Sequence, residues 1–265
     1  MFEAICYSCI GKRDNHEDNF YFDGRYLSEF EQNNMVDNRV ISLQNNEYSH
    51  LKIFAICDGM GGQNGGEVAS RICVENIANN YGKLAKCENI ETIVNILQGE
   101  IDKINHYIYE ASLNDIKLRG MGTTLVMVVI FREKFAVLNI GDSRAYWYNG
   151  NTLIQLTEDH TEGQRLLDLG LLTVEEVSVF RDRKKLSKYL GYCPAGYVLS
   201  ADEFFPKMDT GIIMLCSDGV TDFLTDIEIK NIFENTNDLS HIGALMISKA
   251  TANRNADNAT VILLK

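Results

Sequence analysis

The chain has 265 residues, 45% of them apolar and 23% charged, with a formal net charge of −12. That size and composition suit a globular protein with a large core, and so acidic a balance argues against nucleic acid and anionic membrane as principal partners. No apolar run approaches the roughly 18 residues of a membrane helix, and the start, Met1-Phe2-Glu3-Ala4, carries no basic leader, so a cytoplasmic protein is expected.

Residues 1–24 open with an apolar strand, pass through a charged turn at 11–18 and return as Phe20-Tyr21-Phe22. The stretch 25–50 is polar and Asn-rich and reads as a long excursion or hairpin. A strand at 52–57 runs into Asp58-Gly59-Met60-Gly61-Gly62, and helices are expected over about 66–80 and 90–112. In the second helix Ile90, Ile93, Val94, Leu97, Ile101, Ile104 and Ile108 recur at spacings of three and four, the mark of a core-facing stripe. A meander of strands follows at 123–131, 135–140, 145–148 and 152–156, with connections short enough to force antiparallel pairing. The strand at 125–131 is apolar on both faces and needs cover on both. Helices supply one cover and a second sheet the other. The expected fold is therefore α+β, a four-layer α-β-β-α sandwich of two antiparallel sheets flanked by helices. Residues 161–196 hold two short helical stretches and the basic run Arg181-Asp182-Arg183-Lys184-Lys185. A strand at 212–216, helices at about 225–235 and 238–252, and a strand at 259–264 complete the chain. With no linker and only two prolines, Pro194 and Pro206, one domain over 1–265 is expected.

Seven cysteines are scattered, most of them inside apolar runs, as Cys57, Cys73 and Cys216 are. Cys6 and Cys9 form a C-x-x-C pair without a second pair, and in a strand they point to opposite faces, so they read as small core residues.

Carboxylates recur where apolar runs end. Asp58 and Asp218 each close such a run and are followed by glycine; Asp142 closes another after Gly141; Asp257 immediately precedes the last strand, and Glu17-Asp18 the second. One Asp-Gly is first of all a turn signal. Repetition at several strand ends points further, because clustered carboxylates repel one another unless a cation joins them. The five histidines show no ligand spacing, so an all-oxygen site for magnesium or manganese is favoured over zinc.

Arg13-x-x-x-Glu17-Asp18, Asp58-Gly59-Met60-Gly61-Gly62, Gly120-Met121-Gly122-Thr123-Thr124, Gly141-Asp142-Ser143-Arg144, Asp159-His160, Ser217-Asp218-Gly219 and Asp257-Asn258 occur in that order. This ordered set resembles the metal-dependent serine/threonine protein phosphatases, the type-2C family, in their compact bacterial form, from about residue 6 to residue 264. The family's fold is the four-layer sandwich.

The resemblance implies two manganese or magnesium ions, with room for a third. Asp58 would bridge the pair, Asp218 and Asp257 would complete one ion, and Glu17 with the Gly59 carbonyl would serve the other. Asp142 with Asp218 would hold the third. Asp18 would orient metal-bound water, Arg13 would grip the substrate phosphate, and a water bridging the metals would attack phosphoserine or phosphothreonine directly. Asn258 would fix the Asp257 loop, and residues 161–196 would form a flap beside the site. The implied partners are phosphorylated proteins, including a serine/threonine kinase and its substrates, met by a monomer.

Two departures stand out. Met60 replaces the histidine that many eukaryotic relatives carry as candidate proton donor, which leaves a metal-bound water for that role. The excursion at 25–50 is longer than the compact bacterial pattern.

Two other functions were weighed. The run from Gly59 to Gly65 faintly resembles a dinucleotide loop, but its spacing is off by one and no strand ending in an acid follows about 20 residues on. A catalytically inactive phosphoprotein-binding regulator of the same fold usually lacks metal ligands, and every expected acid is present.

Overall fold

The structure, a computed structural model, describes residues 2–35, 39–45, 50–61, 65–207 and 210–265. Gly62, Gln63 and Asn64 of the glycine-rich run, and 36–38 and 46–49 of the polar excursion, lie outside the described residues.

One sheet comprises β1 (Phe2–Cys9), β3 (Arg39–Asn45), β8 (Arg144–Tyr148), β9 (Leu153–Gln155), β11 (Ile212–Cys216) and β12 (Ala259–Leu264), in the order β3-β1-β12-β11-β8-β9. The other comprises β2 (Asp18–Phe22), β4 (Leu51–Met60), β6 (Leu125–Phe131), β7 (Lys134–Ile140) and β10 (Asp202–Phe204), in the order β10-β7-β6-β4-β2. A short β5 (Gly122–Thr123) pairs with the end of β4. Every pairing is antiparallel.

Strand alternation builds the layers. In β6, Leu125, Met127, Val129 and Phe131 face α2 (Gly66–Leu84) and α3 (Ile90–Asn114), while Val126 and Val128 face the opposite sheet. In β12, Val261 and Leu263 face α7 (Asp226–Asn235) and α8 (Leu239–Ala250), and Ile262 and Leu264 face inward. The order is helices, sheet, sheet, helices, as the two-faced apolar strands require. Cys6 and Cys9 fall in different cores, on opposite faces of β1. The stripe on α3 is buried at all seven predicted positions, and Asn89 caps its start by accepting from the Thr92 amide.

Two expectations change. The four segments of the meander do not form one sheet: β7 and β8 lie in different sheets, and Gly141-Asp142-Ser143 carries the chain between them. Buried Ser143 hydrogen-bonds Thr124 at 2.7 Å, which fastens the crossing to the start of β6. The polar excursion contributes α1 (Glu29–Asn33), with a Ser28–Glu31 capping box, and the edge strand β3.

Residues 161–196 carry α4 (Glu162–Asp168) and α5 (Val174–Val179). Among the described residues no helix is long and apolar enough to cross a membrane.

Candidate active site

The predicted carboxylates gather at one end of the sandwich, each delivered by a different element. Glu17 and Asp18 lead into β2, and Asp18 lies directly opposite Asp58 in the β2–β4 ladder. Asp218 opens a short helix, α6 (Asp218–Thr221), after β11. Asp142 rides on the inter-sheet crossing, and Asp257 precedes β12. Asp58 does not end its strand as expected. β4 continues through Gly59 and Met60 because β5 pairs with it there. Thr124 clamps the position, its Oγ1 accepting from the Asp58 amide at 2.9 Å and its own amide donating to the Asp58 carbonyl at 2.9 Å.

Glycines let these segments touch. A Cβ on Gly59 would collide with the Gly66 carbonyl and crowd the Glu17 carbonyl, and one on Gly219 would collide with the Asn258 carbonyl. Gly219 is therefore not a turn residue. It is the point where α6 packs against the loop bearing Asp257.

Asp18 is buried, and its Oδ2 accepts from Ser217 Oγ at 2.7 Å and Thr260 Oγ1 at 2.6 Å. Thr260 Oγ1 also bonds Ser8, and Ser8 bonds His16 Nε2 at 3.1 Å. Ser8, His16, Ser217 and Thr260 escaped the sequence reading. Only the placement of hydroxyls within apolar strands could have signalled them. Asn258 does more than steady its own loop: its Oδ1 accepts from the Glu17 amide at 2.7 Å, and its Nδ2 donates to Ile10 and Asn15 carbonyls.

The electrostatics are those of crowded anions. Burial, then Asp218 and Asp18, hold the Asp58 carboxyl well above the usual range, and burial, then Asp222, raises Asp218. Burial, then Asp218, pushes Asp142 up to about 8. Burial raises Glu17 to about 7, with Glu67 adding to it. Asp18 rises to about 7 by burial, against the pull of Thr260 and Ser217.

Arg13, exposed on one side, pairs with Asp257 at 2.5 Å, not with Asp14 or Glu17. Arg144 grips Asp159 with two nitrogens, at 2.8 and 2.6 Å, as a structural pair. His160 accepts from the Gly141 amide at Nδ1 and meets Asp202 at Nε2, so it too is structural. The basic run at 181–185 is exposed, and Lys184 reaches Asp222 at 2.5 Å, one turn beyond Asp218.

Among the described residues no three His, Cys, Asp or Glu side chains already enclose a common point as metal ligands would. Asp257 is turned to Arg13. The donor set nonetheless fits hard cations. It offers oxygen alone, and burial and crowding raise its carboxyls, a penalty on their charge that a divalent ion would relieve.

The family model described as protein phosphatase 2C matches residues 42–259. The serine/threonine phosphatase stp of Listeria welshimeri is 33% identical over 213 residues, covering 80% of this chain and 84% of the relative. The crystal structure of the serine/threonine phosphatase Stp1 from Staphylococcus aureus superposes with a TM-score of 0.81 at 28% identity, over 100% of this chain and 94% of that one. The catalytic domain of the serine threonine protein phosphatase PstP, in complex with two manganese ions, superposes with a TM-score of 0.72 at 25% identity, over 99% of this chain and 98% of that one. By sequence and by fold, this chain belongs to the protein phosphatase 2C family and is a serine/threonine phosphatase of the bacterial kind.

Proposed function

We propose that this chain is a metal-dependent phosphatase that hydrolyses phosphoserine and phosphothreonine monoesters on proteins, including a kinase and its substrates. The observation that carries this reading is the meeting of Glu17, Asp18, Asp58, Asp142, Asp218 and Asp257 beside an exposed arginine, their burial and crowding raising several of them above the ordinary carboxylate range. The manganese ions of PstP support it.

In this reading Asp58, Asp218, Asp257 and Glu17 with the Gly59 carbonyl would hold two ions, and Asp142 with Asp218 would hold a third. Bound divalent cations supply charge screening for the phosphate dianion and acidify water for direct attack. The chain's own groups do the rest. Arg13 offers a planar guanidinium that matches two phosphate oxygens, and it must leave Asp257 to do so. Asp18, fixed by Ser217 and Thr260, orients water. Met60 cannot donate a proton, so the leaving oxygen takes one from water. The whole chain, 1–265, acts as one catalytic domain, and the segment at about 161–196 is its flap. The Leu190–Thr123 bridge joins that segment to β5, beside the end of β4, and the Thr161–Leu186 bridge closes the segment on itself.

The test is turnover of p-nitrophenyl phosphate and a phosphothreonine peptide with manganese, with and without chelator. Hydrolysis that the chelator abolishes is expected. Pure, folded protein that stays silent with manganese hands the function to the inactive phosphoprotein-binding reading.

A further inference from the structure

The segment 189–201 is strapped along α3 by a row of polar side chains. Gln98 exchanges hydrogen bonds with Ala201, Asp102 Oδ1 accepts from the Leu199 amide at 2.8 Å, and Asn105 bonds both Gly191 and the Tyr192 carbonyl. The next polar group on that face is His106, and it meets Cys193, with Sγ 3.2 Å from Nε2. The ring's tautomer follows from its other nitrogen. Nδ1 lies 2.8 Å from the Asp102 carbonyl, which can only accept, so Nδ1 carries the proton and Nε2 is free to accept one from the thiol. The Asp102 carboxylate lies 3.9 Å from the same nitrogen. A nucleophile, a base and a group that orients the base are thus in place.

Cys193 stands apart from the other cysteines. Cys6, Cys9, Cys57, Cys73 and Cys216 are buried, and partly exposed Cys87 packs against the core and points its thiol at the Lys83 carbonyl, at 3.8 Å. Cys193 is partly open to solvent, and so is His106. Neither belongs to the carboxylate site.

We propose that Cys193 is a modification site that forms a mixed disulfide with small disulfides, His106 acting as its base. His106 Nε2 takes the thiol proton, and the Cys193 sulfur attacks one sulfur of the reagent. The reagent's S–S bond breaks, its electron pair leaves on the second sulfur, and that thiolate takes the proton back from His106. One half of the reagent is reduced to a thiol as Cys193 is oxidised to the mixed disulfide. The added group has to enter between the strap and α3. Leu190, three residues earlier, exchanges two backbone hydrogen bonds with Thr123, and Thr123 pairs with Gly59 in the active site. An adduct at Cys193 therefore disturbs the strand end that carries Asp58 and Gly59, and turnover falls.

The experiment treats whole protein at neutral pH with dithiobis-nitrobenzoate, then with glutathione disulfide, and follows thiol release, adduct mass and phosphatase rate. Cys193 is expected to react ahead of Cys87, and Cys193→Ser to lose both the fast phase and the fall in turnover on treatment. His106→Gln keeps hydrogen-bonding atoms but no base, and should slow labelling by roughly threefold or more. Turnover should fall as the adduct forms and return with dithiothreitol. Equal labelling of Cys87 and Cys193, or unchanged labelling in His106→Gln, overturns the base-activated thiol. A complete adduct with undiminished turnover overturns the coupling to the site. Thiol release is read independently of phosphate chemistry, so its failure is distinct from failure of the proposed hydrolysis.

Discussion

Asp58, from the extended end of β4, and Asp218, the first residue of α6, bring their buried carboxyls together, and burial raises both above their ordinary range. Protons and metal ions therefore compete at the point where metal ions are proposed to bind.

That state sets a pH dependence. Glu17, Asp18 and Asp142 have folded values of about 7, 7 and 8, above their ordinary values of 4.5, 3.8 and 3.8. A raised acid contributes stability that is complete below the ordinary value and is lost as pH climbs through the folded one. Chelated protein should therefore lose stability between about pH 4 and pH 8 from these groups. Manganese should raise the melting temperature more at pH 8 than at pH 5.5, by about 3 °C or more. Equal gains at both values would break the link between proton and metal.

Asp218→Asn should separate stability from function. It removes one of the repelling carboxylates, so the chelated variant should melt at or above the wild-type temperature. Turnover should drop by more than the roughly 10–100-fold typical of losing a group behind the ligands. Calorimetric titration with manganese and steady-state kinetics check this, and near-normal turnover would end the metal assignment.

Arg13→Ala should raise KM for a phosphopeptide by roughly tenfold, the value of a charge-assisted hydrogen bond. It should also tighten manganese binding, because Asp257 loses its competing partner. Arg13→Lys should restore little of the KM, since an ammonium cannot make the paired contact. An unchanged KM would leave Arg13 as a partner of Asp257 alone.

Gly219→Ala puts a methyl group into the Asn258 carbonyl. A cost of about 1–3 kcal/mol in unfolding is expected. Weaker manganese binding should accompany it, because Asn258 also holds the Glu17 amide. A variant as stable as wild type would show that the two loops can part freely.

Most of the fold and the acidic residues themselves were legible in the sequence. Helix periodicity located the buried stripe of α3, and strands apolar on both faces required four layers. The short link at Gly141 was misread, because a brief connection signals proximity and not which sheet the next strand joins. The Arg13–Asp257 pair was not legible for a related reason: Asp257 is far off in sequence and arrives only through the β1–β12 pairing. The hydroxyls around Asp18 were hidden because Ser217 and Thr260 look like minor interruptions of apolar strands.

Asp18 belongs to one sheet, and the two hydroxyls that hold it come from the other. This polar clasp crosses the end of an otherwise oily seam, where van der Waals contact alone would tolerate small sliding. Hydrogen bonds of 2.6 and 2.7 Å do not tolerate it. The alignment of the two halves of the sandwich and the position of Asp18 are therefore a single mechanical setting, and under the role proposed for Asp18 the phosphatase rate should report on the seating of the sheets before the chain unfolds.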